Sequence, residues 1–128
     1  MRCIHILIII LPLFFSSKSF AEWEFINTTP KGYDFYYDNK NINASLGYVY
    51  FFGLHNSKIA NNYGTKSIVS TYKLSCIDLK YKSINDKMYK SSFGKGFPRE
   101  INKPYEKWKR TNNKSFSAIL KDLCILYF

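Results

Sequence analysis

YKLSC, residues 72–76, alternates apolar and polar side chains and ends in a cysteine. A two-residue period is typical of a strand that buries one face. The alternation extends over residues 67–79 and places Tyr72, Leu74 and Cys76 on the same face. We therefore predict a central strand whose buried face leads directly to Cys76.

A second stretch, SFSAILKDLC at residues 115–124, has the period of a helix. Its large apolar side chains recur at helical spacing: Phe116, Ile119, Leu120 and Leu123. Cys124 lies on or beside this apolar stripe, and Ser115 or Ser117 is a suitable N-cap. A bond between Cys76 and Cys124 would hold a terminal helix against a sheet.

The N-terminal segment, residues 1–21, predicts a secretory signal peptide. A weakly positive start precedes a nearly continuous apolar run from Ile4 to Phe15, and Ser19-Phe20-Ala21 fits a cleavage site. No lipobox precedes the predicted cut, so we expect no lipid anchor on Cys3. Residues 22–128 are expected to form a single domain with one modest core and no membrane span.

Removal of the signal peptide leaves two cysteines, Cys76 and Cys124, in an exported chain. An even number of cysteines in such a chain favours a disulfide. In the chain-entropy description, closing the loop from Cys76 to Cys124 stabilises the fold by about 4 kcal/mol. The alternative is a pair of free buried thiols, which a reducing compartment would favour.

The pattern of the remaining chain predicts a succession of short strands separated by polar turns. The predicted strands are residues 23–27, 33–38, 46–54, 67–79 and 81–89, with a further short strand around Tyr105 and Trp108. Gly47 and Gly53 are candidate bulge positions, and residues 55–65 are a predicted loop. We predict an α+β, mainly β fold: an antiparallel sheet of five or six strands, with one C-terminal helix packed on a face and tied by the disulfide.

Positive charge is concentrated in one segment, residues 80–114. It carries eleven cations against three acids, a net +8, whereas the rest of the chain after residue 21 is balanced. Aromatic residues are interleaved with these cations, which suits a sulfated polysaccharide, an anionic lipid, nucleic acid or an acidic protein. Charge density selects seven candidate ligand contacts: Lys80, Lys82, Lys87, Lys90, Lys107, Lys109 and Arg110. The competing interpretation is a solvated lysine-rich surface above core aromatics.

Catalytic and cofactor motifs are not recognisable in the sequence. His55 is the one histidine after residue 21, and a lone histidine in a loop is most often a polar surface residue. One histidine and two distant cysteines cannot build a zinc site, and no phosphate-binding glycine loop is present. We therefore predict no metal, no cofactor and no enzymatic activity, with an enzyme as the least favoured class.

The ordered anchor residues of the chain resemble those of the bacterial surface-adhesin protein E family. The resemblance spans nearly all of residues 22–128 and rests on Trp23, on Tyr36-Tyr37-Asp38 followed by Asn41-Ile42, on Lys66-Ser67 before the strand to Cys76, on Trp108 and on the final helix with Cys124. It implies an antiparallel sheet with a disulfide-tethered helix. It also implies an adhesin that binds host matrix proteins such as vitronectin and laminin. Those family members carry a lipid anchor, for which this sequence shows no lipobox.

The favoured function is an exported, non-catalytic, adhesin-like module that binds a host matrix protein or an anionic glycan through the lysine-rich segment. The alternative is a periplasmic accessory protein that binds an envelope component or another protein. Export argues against nucleic acid as a partner, and the location is periplasm, cell surface or medium. An exposed sheet edge would allow two copies to pair as a homodimer.

Overall fold

The computed structural model describes residues 20–101 and 106–128. The predicted signal peptide lies almost wholly outside these ranges and stays a prediction, as does the single-domain boundary. Tyr105, one centre of the predicted last strand, also lies outside them.

The described residues form one antiparallel sheet and one long helix. The strands are β1 (Trp23–Thr28), β2 (Asp34–Asp38), β3 (Asn43–Ser45), β4 (Tyr48–Asn56), β5 (Ser67–Ser75), β6 (Lys80–Tyr89) and β7 (Arg99–Ile101), and the helix is α1 (Lys114–Tyr127). Their order in the sheet is β1-β2-β4-β5-β6-β7, and β3 pairs with β4. The predicted antiparallel sheet with one C-terminal helix is confirmed, and two three-residue strands, β3 and β7, add to the predicted number.

The bulges of the sheet do not lie at the predicted glycine positions, and Gly47 belongs to a turn. Leu46 and Gly47 both have positive φ, 51° and 84°, and join β3 to β4. This is the geometry of a two-residue hairpin turn whose twist matches that of the strands. The register shifts instead between Phe25 and Asn27 in β1, and at Ile84 in β6, which is the extra residue opposite β5.

The core lies between α1 and one face of the sheet, which we call the inner face. Phe116, Leu120 and Leu123 of α1 are buried, as the helical period predicts. They pack against inner-face side chains of the central strands: Phe35, Val49, Phe51, Tyr72 and Leu74. The helix begins one residue before the predicted cap: Asn113, rather than Ser115 or Ser117, is the N-cap, and its Oδ1 accepts from the Phe116 N–H at 2.9 Å.

The disulfide joins the two stretches that the sequence singled out. Cys76 directly follows β5, and Cys124 lies in the last turns of α1. Their Cα atoms are 5.6 Å apart and their sulfur atoms are bonded, so the predicted tether is confirmed. It fixes the end of the helix that is farther from the N-cap.

The opposite face of the sheet, here the outer face, is covered only in part. A 3₁₀ turn at Ser92–Gly94 lies over one half. There, buried Ser67 donates its hydroxyl to the Ser91 carbonyl at 2.6 Å, and Asn56 Oδ1 accepts from the Phe93 N–H at 2.8 Å. The other half contains Tyr48, Tyr50, Phe52, Lys73, Lys80 and Lys82. Within the described part of the chain these side chains are half-buried or, at Phe52, exposed, and we call this the open half of the outer face.

Candidate binding surface

Successive side chains of β6 point to opposite faces of the sheet, and this decides where the predicted cations of the strand lie. Lys80 and Lys82 pair with Ser75 and Lys73 of β5, so they lie on the open half of the outer face. Lys87 lies beyond the bulge on the same face, opposite Val69, and its Nζ is 3.8 Å from Glu100 Oε1. Lys80 and Lys82 are thus neighbours, whereas Lys87 lies farther along the strand beside an acid.

The other four candidate cations lie outside the strands. Lys90 is exposed just after β6, and Lys107 and Arg110 are exposed in the segment before α1. Lys109 forms a backbone bridge with Tyr81, an inner-face residue. The bridge places this segment beside the start of β6, whereas Lys87 and Lys90 lie towards the other end of that strand.

Lys109 is engaged in a hydrogen-bonded ion pair within the protein. Its Nζ lies 2.7 Å from Glu106 Oε1, and the other oxygen of Glu106 accepts from the Ser83 hydroxyl. The bond to Glu106 raises the pKa of Lys109 above its ordinary value. This ion pair, with the Glu106–Ser83 hydrogen bond, helps to hold the segment before α1 against β6.

Lys73 was not among the predicted contacts, yet it lies directly opposite Lys82. Its Nζ is 4.1 Å from the ring centroid of Tyr48 and 5.9 Å from that of Tyr50. The sequence did signal that Lys73 is out of phase with the buried Tyr72 and Leu74. It could not signal which residue of the next strand would lie opposite Lys73.

Trp108 also lies on the open half, beside these lysines. Because Lys109 pairs with Tyr81, the preceding Trp108 is brought beside Lys82, whose Nζ is 4.6 Å from its ring centroid. The indole also stacks on Tyr48, with centroids 5.9 Å apart and planes 18° apart. We call Tyr48, Tyr50, Lys73, Lys82 and Trp108 the lysine–aromatic cluster.

His55 is not in a loop, as its flanking residues had suggested, because β4 continues through it to Asn56. Its ring stacks on Phe35, with centroids 4.5 Å apart, and meets Tyr33 edge-on at 6.4 Å. It borders a cavity of about 170 Å³ beside the N-terminus of α1, which Asn27, Thr111 and other residues also line. This environment gives the histidine a packing role at the rim of the core.

Two further features concern residues 20–101 and 106–128, namely metal ligands and membrane-spanning helices. No group of three or more histidine, cysteine or acidic side chains there is arranged to hold a metal ion. Within the same ranges, no helix combines the length and apolar character needed to cross a membrane.

These features define a class: a small antiparallel-sheet protein, braced by one helix and one disulfide, with cations and aromatic rings on an open sheet face. Residues 23–124 match the family described as surface-adhesin protein E. The chain belongs to that family, so the resemblance expected from its anchor residues is confirmed, and family membership marks it as an adhesin-like, exported or surface-located protein.

Solved structures show the same fold. A crystal structure of protein E from non-typeable Haemophilus influenzae shares 14% identity, with a TM-score of 0.63 over 84% of this chain and 79% of that one. A second crystal form of Haemophilus influenzae protein E shares 16% identity, with a TM-score of 0.63 over 80% of this chain and 88% of the other. No curated protein matches the sequence significantly.

Proposed function

We propose that this protein is an exported, non-catalytic adhesin that binds a host matrix protein of the vitronectin or laminin class, or an anionic glycan. The cations of residues 80–114 supply the contact surface. Membership of the surface-adhesin family is the observation that carries this proposal. The exposed positions of Lys90, Lys107 and Arg110 support it, because a long-range positive field speeds encounter with acidic partners.

The first test is binding of the purified, disulfide-bonded protein to immobilised vitronectin, laminin and heparin at low and high salt. A contact made mainly by lysines weakens as salt rises, since exposed charges are screened within about 8 Å at physiological ionic strength. Saturable binding to vitronectin or laminin that persists at moderate salt supports the adhesin. Binding to heparin alone, lost as salt rises, reduces the proposal to a basic surface.

Two charge-reversal variants test whether the lysine-rich segment makes the contact. Lys90→Glu/Lys107→Glu/Arg110→Glu changes three exposed positions within it, and Lys31→Glu/Lys58→Glu/Lys121→Glu changes three exposed positions outside it. Both variants alter the net charge equally. We expect the first to weaken matrix binding about tenfold, roughly 1.4 kcal/mol, and the second to do so far less. Equal losses of affinity in the two variants would show that the lysine-rich segment does not make the contact.

The periplasmic alternative has its own outcome. If none of the three ligands binds, and protease treatment of intact cells leaves the protein uncut, an accessory role inside the envelope replaces the adhesin.

A further inference from the structure

Two connecting segments leave the sheet at the same end. The β4–β5 loop follows the last residue of β4, and the β6–β7 connection follows the last residue of β6. Ser67, the first residue of β5, pairs with both of these strand ends, Asn56 and Tyr89. The two segments therefore emerge side by side. We call residues 57–66 and 90–99 the loop end of the molecule.

Three large apolar side chains of the loop end extend into solvent. Ile59 and Tyr63 are 80% and 79% exposed, and Phe97 is 99% exposed. Asn61 Oδ1 accepts from the N–H groups of Tyr63 and Thr65, both at 2.9 Å, and so fixes the turn that presents the Tyr63 ring. Tyr63 and Phe97 line the same cavity of about 110 Å³. Exposed apolar side chains grouped in this way are typical of an interaction surface.

Five cations share the loop end with these side chains. They are Lys58, Lys66, Lys90, Lys95 and Arg99, and neither segment contains an acidic residue. Four of the five side chains are exposed, and that of Lys66 is half-buried. A partner that fits this surface is negatively charged and also accepts apolar side chains.

The acids on the adjoining strands do not cancel this charge. Glu100 directly follows the loop end, but its Oε1 is 3.8 Å from the Lys87 Nζ, so the charges of these two residues offset each other. Asp34 begins β2, and Asp86 is 3% exposed on the inner face. Counting Asp34 and Asp86 in full leaves five cations against two acids, so the loop end is positive.

A bilayer with anionic headgroups has both of the required properties. Lysine and arginine side chains are attracted to anionic headgroups, while apolar side chains enter the boundary between headgroups and acyl chains. Tyrosine is enriched at this boundary. A second copy of the chain would bring like charges together, and a polysaccharide would leave Ile59 and Phe97 in water.

We propose that the loop end docks on the surface of a bilayer that contains anionic phospholipid. Ile59, Tyr63 and Phe97 enter the boundary region, and the five cations contact the headgroups. This peripheral contact is separate from the matrix-protein ligand of the proposed function, so vitronectin and laminin binding do not decide it.

The opposite end of the sheet provides a matched control. Leu46 and Ile77, in the β3–β4 and β5–β6 turns, are 94% and 89% exposed. They present apolar side chains as freely as Ile59 and Phe97 do, but Asp78 lies next to Ile77. An acid among the apolar tips is unfavourable at an anionic surface.

The test measures binding of the full protein to sedimented vesicles of equimolar phosphatidylglycerol and phosphatidylcholine. Ile59→Asn/Phe97→Asn should lower the affinity about tenfold or more, because two apolar side chains no longer enter the boundary. Leu46→Asn/Ile77→Asn, at the opposite end, should change it by less than about threefold.

A second pair of variants tests the charge. Lys58→Gln/Lys95→Gln should lower the affinity for the same vesicles about tenfold, because two headgroup contacts are lost. Lys40→Gln/Lys121→Gln removes the same charge from exposed positions outside the loop end and should have a smaller effect. Vesicles of phosphatidylcholine alone should bind the parent protein much more weakly. Matching melting temperatures show that the variants are folded.

Several outcomes would overturn the proposal. These are an absence of vesicle binding, equal losses from the two asparagine variants, and equal binding to vesicles with and without phosphatidylglycerol. Heparin binding that requires Lys58 and Lys95, without vesicle binding, replaces the bilayer with a polysaccharide. If Ile59→Asn/Phe97→Asn does not fold, the Lys58→Gln/Lys95→Gln pair and the lipid comparison still decide the question.

Discussion

Gly53 lies in the interior of β4, where a side chain would have no room. A Cβ at this position would lie 2.3 Å from Tyr72 Cε2 and 3.0 Å from Phe35 Cε2. Both rings belong to the buried cluster beneath α1. The glycine therefore permits two aromatic rings to meet over the backbone of the central strand, and it does not mark a bulge.

At the residue scale we predict that Gly53→Ala lowers the free energy of unfolding by about 3 kcal/mol, because the buried rings must shift. Gly32→Ala is the matched control: its φ is +86° but nothing lies within 4 Å of its Cβ position. That variant should lose only about 1 kcal/mol, from backbone strain. Denaturant unfolding measures both, and equal losses would show that the rings can move away without cost.

At the scale of elements, α1 is held by two different means. Phe116, Leu120 and Leu123 bury its apolar stripe, and the disulfide joins it to the residue after β5. Burial acts in the folded state, whereas the cross-link acts mainly by restricting the unfolded chain. The helix should therefore remain packed when the cross-link is removed.

We predict that Cys124→Ser lowers stability by up to about 4 kcal/mol, with a lower melting temperature and a sheet that survives. Cys76→Ser should have the same effect, and the double variant should lose no more than either single one, because one bond is removed in all three. Thermal unfolding followed by circular dichroism measures the loss. A single variant that melts like the parent would show that the tether contributes little.

Two elements, β3 and β7, had no recognisable pattern in the sequence. Each has three residues, which is too short for alternation to be seen. They form because β4 and β6 present unpaired edges to chain that passes beside them. The predicted N-cap, Ser115 or Ser117, was also wrong. Asparagine and serine cap helices equally well, and only the path of the chain selects Asn113.

At the scale of the whole molecule, tyrosine burial couples stability to alkaline pH. Burial, with a hydrogen bond to Glu24, raises the pKa of Tyr37 to about 12. Burial also raises the pKa of Tyr72, Tyr81 and Tyr89. The ordinary value is about 10. Because the folded pKa is the higher one, this stability is fully present below about pH 10 and is lost as pH rises towards about 12.

We predict that the unfolding midpoint in denaturant is nearly constant from about pH 7 to 9 and falls steeply above about pH 10. Tyr37→Phe should reduce the steepness of the fall, whereas Tyr63→Phe, at a side chain that is 79% exposed, serves as the control. Absorbance at a tyrosinate wavelength should rise together with unfolding. A midpoint that does not change across this range would contradict the burial argument.

The sequence by itself determined the class of fold, the central strand, the C-terminal helix and the pairing of Cys76 with Cys124. The fold class and these elements follow from residues near each other along the chain, whose apolar period decides which side chains face inward. The pairing follows from a cysteine count that leaves one choice once Cys3 is assigned to the predicted signal peptide. Tertiary structure alone decided that Lys73 lies opposite Lys82 and that Trp108 stacks on Tyr48. Cross-strand neighbours depend on hydrogen-bond register, and an extra residue such as Ile84 shifts every pairing beyond it.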